Sequence, residues 1–460
     1  MSKLIKMLIS LMVLSLLVTA CGPAETEAPT IPTSTEAPVV TEPPVTEAPT
    51  EATTATEPAA ASGEIDCKGA QSGDQLSVMY QWSGAEEEKI NAILKPLVDA
   101  CGITLAAEST RDPAVLDTKV QSTPPDVLFW PTTAPLTLYT DKLIPLDTLG
   151  GGSDNYAGFW KDLGSVDGNW LAVPVKADIK SIIWYSPTQF DAFGYTVPTT
   201  LDELDALVEK MAADGNVPWS MGNNNGGAGN GWTGSDFVQD LLLAQQGPDY
   251  VNQIISGEVP YNDAGVVEAY TLYTKWASDP KYTVGGADGT VNTPFLEAIY
   301  KVFSENPEAM MVKQSGFAGG EIVKQFPDLQ YGTDFDFFAF PGAQGMQGGA
   351  DFMMAFSDTP AAQALVSYLT SEAGATAWAE AGFDLSPNTL ATSDLYPDPQ
   401  LSKKADALAN AAGFTPDLGD TIPAPFGDAE FKAIVDTVQG ADIAASLEAV
   451  AAAQTEALQK

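Results

Sequence analysis

From Gln75 to the end of the chain, apolar residues recur in two rhythms, every second residue or every third and fourth. Gln75–Gln81 follows the first and predicts a strand, closed by the turn Trp82-Ser83-Gly84. Ile90, Ile93, Leu94, Leu97 and Val98 follow the second, predicting a helix from Ala85 that Gly102 stops. Thr104–Ala107 predicts another strand, and Pro124–Trp130 a loop that runs into a buried apolar segment. Strand, helix and strand in this succession imply right-handed crossovers and an α/β sheet.

A second region opens at Trp170–Pro174 and continues into Ser181–Tyr185, another apolar strand. Thr199 or Thr200 caps the next helix, with Asp202 and Glu203 at its positive end and Leu204, Leu207, Val208 and Met211 as its buried stripe. Asn223–Gly231 is a Gly/Asn loop; Asp236–Gln245, Gly265–Ala277 and Thr293–Phe303 read as helices, and Phe335–Phe340 as a strand. Thr359–Ala381 reads as one Ala-rich helical stretch, and Asp428 to the end as another. The early and late strands lie too far apart for a single Rossmann-type unit, so the pattern predicts two α/β lobes.

The first sixty-three residues follow neither rhythm. Lys3 and Lys6 precede an apolar run, Leu8–Val18, too short to span a bilayer comfortably, and Val18-Thr19-Ala20 leads to Cys21. This reads as a signal peptide, residues 1–20, with Cys21 at a lipobox-like site for lipidation; the alternative is an ordinary signal with a chance cysteine. Residues 21–63 repeat Thr-Glu-Ala-Pro at Thr26–Pro29, Thr35–Pro38 and Thr46–Pro49. Without an aromatic residue, this stretch has too little apolar surface to fold and reads as an extended, self-repelling tether. It anchors the folded part at the outer face of a membrane.

The formal charge of −40 disfavours nucleic acid and anionic headgroups as partners. The tether contributes only seven of the negative charges (Glu25, Glu27, Glu36, Glu42, Glu47, Glu51, Glu57), so the folded region is acidic too. Cys67 and Cys101 are the remaining cysteines; in an exported protein an even pair is most simply a disulfide, two buried thiols being the alternative. The chain has no histidine, which removes Ser-His-Asp and Cys-His catalysis and most zinc chemistry but leaves carboxylate-only glycoside hydrolysis open. Gly222–Gly231 lacks the Walker lysine and Rossmann spacing and reads as a flexible loop over a cleft. No calcium-loop pattern occurs, so no metal and no cofactor are expected.

Several segments occur in an order that resembles the extracellular solute-binding proteins of bacterial ABC importers. They are Pro125-Asp126-Val127, Leu143-Ile144-Pro145-Leu146, Trp184-Tyr185-Ser186-Pro187, Gly194-Tyr195 with Pro198–Leu204, Ala309-Met310-Met311 before Gly316-Phe317, and Phe340-Pro341-Gly342 before Gly348–Asp351. Val175–Ser181, Asn216–Trp219 and Gly231–Phe237 resemble the α-glucoside-binding branch, although Thr233 follows Trp232 where that branch tends to have proline. The resemblance implies a two-lobed periplasmic-binding-protein-like fold of type II character, closing on a hinge over a sugar, with ABC permease subunits as partners. It implies a non-enzymatic, exported, monomeric receptor that meets the membrane only through its lipid. Crossings are expected at Val175–Ser181, near Asn306–Met311 and near Pro341. The lobes are expected at 64–176 plus about 306–341, and at 177–305 plus about 342–460.

Sugars present apolar faces and a rim of hydroxyls, so the binding candidates are aromatics in loops and charged groups near the crossings. They are Trp82, Trp130, Asp178, Lys180, Trp219, Trp232, Asp236, Phe317 and Asp351, with Trp160, Trp276 and Trp378 assigned to the core and Trp184 to either role. Asp178 and Lys180 are equally compatible with a surface ion pair, and Asp236 with a helix cap. Rival readings are a surface glycosidase, an adhesin-like polymer binder, and a receptor for a polyol or other small polar solute.

Overall fold

The computed structural model describes residues 65–459 except 228; the signal segment 1–20, Cys21 and the tether 21–63 lie outside the described residues. The chain begins with β1 (Gln75–Tyr80), α1 (Ala85–Cys101), β2 (Thr104–Ser109), α2 (Pro113–Ser122) and β3 (Val127–Trp130). It continues through β4 (Ala172–Ile179) and β5 (Ile182–Tyr185) into α3 (Leu201–Ala213), α4 (Trp232–Gln245), α5 (Ala264–Ser278) and α6 (Phe295–Phe303). Then come β6 (Met311–Lys313), β7 (Asp336–Ala339), β8 (Met346–Ala355), α7 (Pro360–Leu369) and α8 (Glu372–Ala381). The last elements are α9 (Pro399–Ala409), β9 (Phe414–Pro416), α10 (Phe426–Val438) and α11 (Ile443–Leu458).

Two sheets organise two lobes. The first runs β2-β1-β3-β8, with β4 on the far edge of β8 and β9 beside the start of β8. β1 is parallel to β2 and β3, while β8 is antiparallel to β3 and β4. The second sheet, β6-β5-β7, is small and wholly antiparallel. Its Ile183 and Met311 join the core of α3, α4, α5 and the C-terminal helices, whereas Ile182, Trp184, Val312 and Phe337 join the core continuous with the first sheet.

Local signals place the helices much as the apolar rhythms predict. Ile90, Ile93, Leu94 and Leu97 are the buried stripe of α1, and Gly102 ends it with φ 66°, a conformation that glycine adopts without steric cost. Thr200 and Glu203 form a reciprocal capping box on α3. Helix α4 starts four residues earlier than expected, at Trp232. The Ala-rich stretch is two helices, because Ser371 accepts from Gly374 N–H and starts α8 afresh. The C-terminal stretch breaks likewise at Gly440, φ 96°, and Asp442 caps α11. Cys67 and Cys101 form a disulfide with Cα atoms 5.5 Å apart, pinning the start of the described chain to the end of α1.

The strand pairings correct the expected division of the chain. β6 and β7, within 306–341, flank β5 in the second sheet, whereas β8, α7, α8 and β9, within 342–460, build onto the first. The reason is burial: Phe352–Ala355 is solidly buried and sits centrally between β3 and β4, and Tyr368 reaches α1 to donate to Ile93 O at 2.8 Å. Asn306–Met311 leads into an edge strand of the second sheet and crosses nothing. The chain passes between the sheets at Ile179–Ile182 and at Phe340–Met346, and from the first sheet into the second core at Pro416–Leu418.

A buried polar knot ties these passages together. Ser181 Oγ donates to Asp240 and accepts from Gln347 N–H at 2.8 Å. Asp240 also meets Lys313 Nζ at 3.1 Å, with both side chains essentially inaccessible. Gln239, one residue earlier on α4, donates to Pro416 O at 2.9 Å and accepts from Leu418 N–H at 3.0 Å. Lys180 N–H donates to Gln347 O and Phe340 N–H to Ser181 O, both at 2.9 Å. Removing one partner of a buried ion pair strands the other charge, at a cost of about 3–5 kcal/mol. Asp240→Ala is therefore expected to lower unfolding free energy by about that amount in a denaturant titration.

Candidate ligand-binding cleft

Side chains alternate along a strand, so β4 and its extension lay Lys176, Asp178 and Lys180 on one face, pointing away from the core residues Val175, Ala177 and Ile179. On the neighbouring strand β8, Asp351 pairs with Lys176 and Gly349 with Asp178. These residues form a polar strip that runs from the first sheet to the second lobe.

At the first-lobe end, Lys176 Nζ lies 3.3 Å from Asp351, 3.3 Å from Asp384 and 3.5 Å from Glu86, and 4.9 Å from the Phe383 ring centroid. Burial disfavours its charge, but Asp351, Asp384 and Glu86 outweigh that and hold the ammonium above its usual range. Asp351 accepts from Trp82 Nε1 at 2.8 Å and from Gln81 Nε2 at 3.2 Å. At the second-lobe end, Lys180 bridges Asp236, at 3.1 Å, and Asp417, and sits 5.6 Å from the Trp232 ring centroid. Burial pushes the Asp236 carboxyl up to about 7 against the pull of Lys180. Asp417 is buried too, yet Lys180 and the N–H groups of Gly419 and Asp420 hold its carboxyl below the ordinary range.

Asp178 lies between these clusters. Each nearby cation is engaged elsewhere, and among the described residues none hydrogen-bonds its carboxylate. Burial pushes it up to about 6, Asp384 adds to the rise, and Lys404, Lys180 and Lys176 oppose it. Asp178 faces a cavity of about 370 Å³ whose walls include Phe317, Asp384, Asp398, Gln400 and Lys404. Space here depends on glycine. A Cβ on Gly316 would sit 2.5 Å from Asp178 Oδ1, whereas one on Gly349 would meet nothing within 4 Å.

Six sequence candidates therefore lie along or beside this strip: Asp178, Lys180, Trp232, Asp236, Phe317 and Asp351. Phe317 is 39% exposed and packs edge-on against Phe295, which meets Trp232 in the same way. The other three candidates are buried. Trp82 is fully buried among Tyr80, Phe129, Trp378 and Phe383 and reaches the strip only through its N–H. Trp219 is fully buried in the second core against Phe237 and Trp276, and Trp130 is buried at the end of β3 in register with Phe352. Trp160, Trp184, Trp276 and Trp378 are core residues. The Gly/Asn loop is tied down: Asn230 Oδ1 accepts from Asn225 N–H at 2.7 Å, and Asn224 O from Phe295 N–H at 3.2 Å. Asp384, Gln400 and Lys404 escaped sequence reasoning; Lys404 in particular lies on α9, whose sequence resembles an ordinary solvated helix.

Two α/β lobes joined by three crossings, with a polar cavity beside the crossing strands, define a ligand-capturing, hinged binding protein. Residues 92–410 match the family described as bacterial extracellular solute-binding protein, and the chain belongs to that family. It is 32% identical over 402 residues to the alpha-glucosides-binding periplasmic protein AglE of Rhizobium meliloti (strain 1021), covering 82% of this chain and 86% of AglE. It is 30% identical over 387 residues to the osmoprotective compounds-binding protein GgtB of Synechocystis sp. (strain ATCC 27184 / PCC 6803 / Kazusa), covering 81% and 91%. Among solved structures, the bacterial solute receptor AcbH has the same fold at TM-score 0.71 and 20% identity, over 84% of this chain and all of AcbH. Apo RafE from Streptococcus pneumoniae follows at TM-score 0.69 and 16% identity, over 85% and 99%. No helix among the described residues is long and apolar enough to cross a membrane.

A carboxyl group raised in the folded state favours folding while protonated, and that contribution is lost as pH rises through about 6. Asp178→Asn is therefore expected to raise Tm at pH 7.5 and to leave it nearly unchanged at pH 4, as scanning calorimetry would show.

Proposed function

We propose that this chain is the substrate-binding component of a carbohydrate ABC import system, capturing an α-glucoside or short oligosaccharide by lobe closure and delivering it to the permease. The observation that carries this reading is Asp178: a carboxylate on a crossing strand, without a hydrogen bond from any of the described residues, facing a cavity with an exposed aromatic ring, Phe317, in its wall. A carboxylate accepts hydroxyl donors in charge-assisted bonds, and an aromatic face takes the C–H side of a pyranose. The cavity lies near the lower end of the range for ligand pockets, about 300–1,000 Å³, which suits one or two sugar rings. The similarity to AglE supports an α-glucoside, and the similarity to GgtB keeps a small compatible solute such as a polyol as the second reading.

In this reading the protein carries out no catalytic step and acts as a monomer. The lipobox-like Val18–Cys21 and the Thr-Glu-Ala-Pro repeats support export, lipidation of Cys21, and a tether on the outer face of the cytoplasmic membrane. A single chain of acyl groups anchors weakly and a second strengthens the hold. Metabolic labelling with an azido fatty acid is expected to mark the wild type, while Cys21→Ala abolishes the label and releases the protein into the medium or periplasm.

Isothermal titration of residues 64–460 with maltose, trehalose, sucrose, longer glucans and a polyol is expected to give saturable binding to at least one sugar. Small-angle scattering is expected to show compaction with that sugar. Gly349→Leu, which puts a side chain into open space beside Asp178, is expected to weaken binding about tenfold or more without loss of the folded state. Binding of the polyol alone would select the second reading, and turnover of a chromogenic glycoside would overturn the proposal.

A further inference from the structure

The cavity is uneven in its hydrogen-bonding capacity. Each of its two lysines donates once to backbone: Lys89 Nζ to Gly382 O at 2.7 Å and Lys404 Nζ to Gly316 O at 3.3 Å. Beyond the walls, Lys176 and Lys180 are each shared among carboxylates. Of the three wall carboxylates, Asp398 accepts from Gln400 and Leu401 N–H at the start of α9, and Asp384 meets Lys176. Asp178 has no such partner among the described residues, and Asp384 keeps 43% of its side chain exposed. The cavity wall thus carries three carboxylates against two lysines, and neither lysine holds Asp178.

Resting on the sugar-binding reading above, we propose that Asp178, with Asp384 beside it, is the specificity determinant that makes this cleft select ligands by charge: amino sugars over neutral sugars, and neutral sugars over uronic acids. An ammonium placed against Asp178 forms a charge-assisted pair with an acceptor that has no other use. A uronate carboxylate entering the same space meets Asp178 and Asp384, and like-charge juxtaposition in a partly desolvated site is strongly unfavourable. The Gly349 gap beside Asp178 leaves room for either head group, so charge and not size decides between them. The groups facing Asp178 are Asp384 from the first lobe, Lys404 from α9, and Lys176 and Lys180 on its own strand. Selectivity is expected to hold at neutral pH and to fade as acid protonates Asp178.

The test is a calorimetric series with glucose, glucosamine and glucuronate, and with maltose as reference, on residues 64–460 at pH 7.5 and pH 5. Glucosamine is expected to bind about three- to tenfold more tightly than glucose at pH 7.5, and glucuronate at least tenfold more weakly. Asp178→Asn, which keeps shape and volume, is expected to bring glucosamine and glucose within twofold of each other while remaining folded by circular dichroism. Glucuronate binding as well as glucose, or a glucosamine preference that survives Asp178→Asn, would overturn charge selection and leave sugar binding standing. If neither maltose nor any monosaccharide binds, the sugar-binding reading and this inference fall together.

Discussion

The buried knot of Ser181, Asp240, Lys313 and Gln347 is the constraint on which the rest of this molecule depends. Three passages of chain must run side by side between the lobes, and each carries backbone groups that no regular sheet satisfies there. Ser181 serves two of those passages at once, and Gln239, adjacent to Asp240, serves the third. Buried polar groups are costly when half satisfied and specific when complete. Helix α4 therefore acts as a splint: its successive residues Gln239 and Asp240 fix the crossing strands, and Asp236, one turn earlier, faces Lys180 in the cleft.

That arrangement explains why strand β4 can serve structure and recognition together. Its odd-numbered residues Val173, Val175 and Ile179, with Ala177, are buried apolar packing, and its even-numbered Lys176 and Asp178, followed by Lys180, form the polar strip. A slip of one residue would exchange the two sets, so the apolar face fixes where the charges go. Ladder hydrogen bonds to β8 then hold Asp351 and Gly349 opposite them. The result is a charged face whose geometry follows from the packing of its reverse side.

How much of this was legible in sequence follows from range. Alternation over Val175–Ser181 and the caps at Thr200 and Gly102 are local signals, and they locate a crossing strand and two helix ends. The sorting of β6, β7 and β8 between sheets depends on partners more than a hundred residues away in the case of β5, and no local pattern carries that. Trp219 looked like a loop tryptophan because Asn216 and Pro218 flank it, yet it bridges to Thr283 and Met311 as a short extended piece of the core. The apolar Val217 and Met221 around it were the available sign. Trp82 looked exposed beside Ser83 and Gly84, but Phe383, three hundred residues on, closes over it.

Charge shows the same division between surface and cleft. With 61 acidic and only 21 basic residues, the chain has few cations to place. Five of its lysines, Lys89, Lys176, Lys180, Lys313 and Lys404, nevertheless converge on the crossing strands or the cavity, and every one meets protein oxygens there. A lysine so held is positional: it favours the ionised form of the carboxylates beside it against the pull of burial, and ties the strip in place. Asp178 is the complement, an acceptor kept charged near neutral pH by Lys404, Lys180 and Lys176 at a distance while none of them covers it. The acidic surface keeps the protein soluble in bulk water; in the cleft, the same excess of carboxylates over cations leaves one acceptor facing open space.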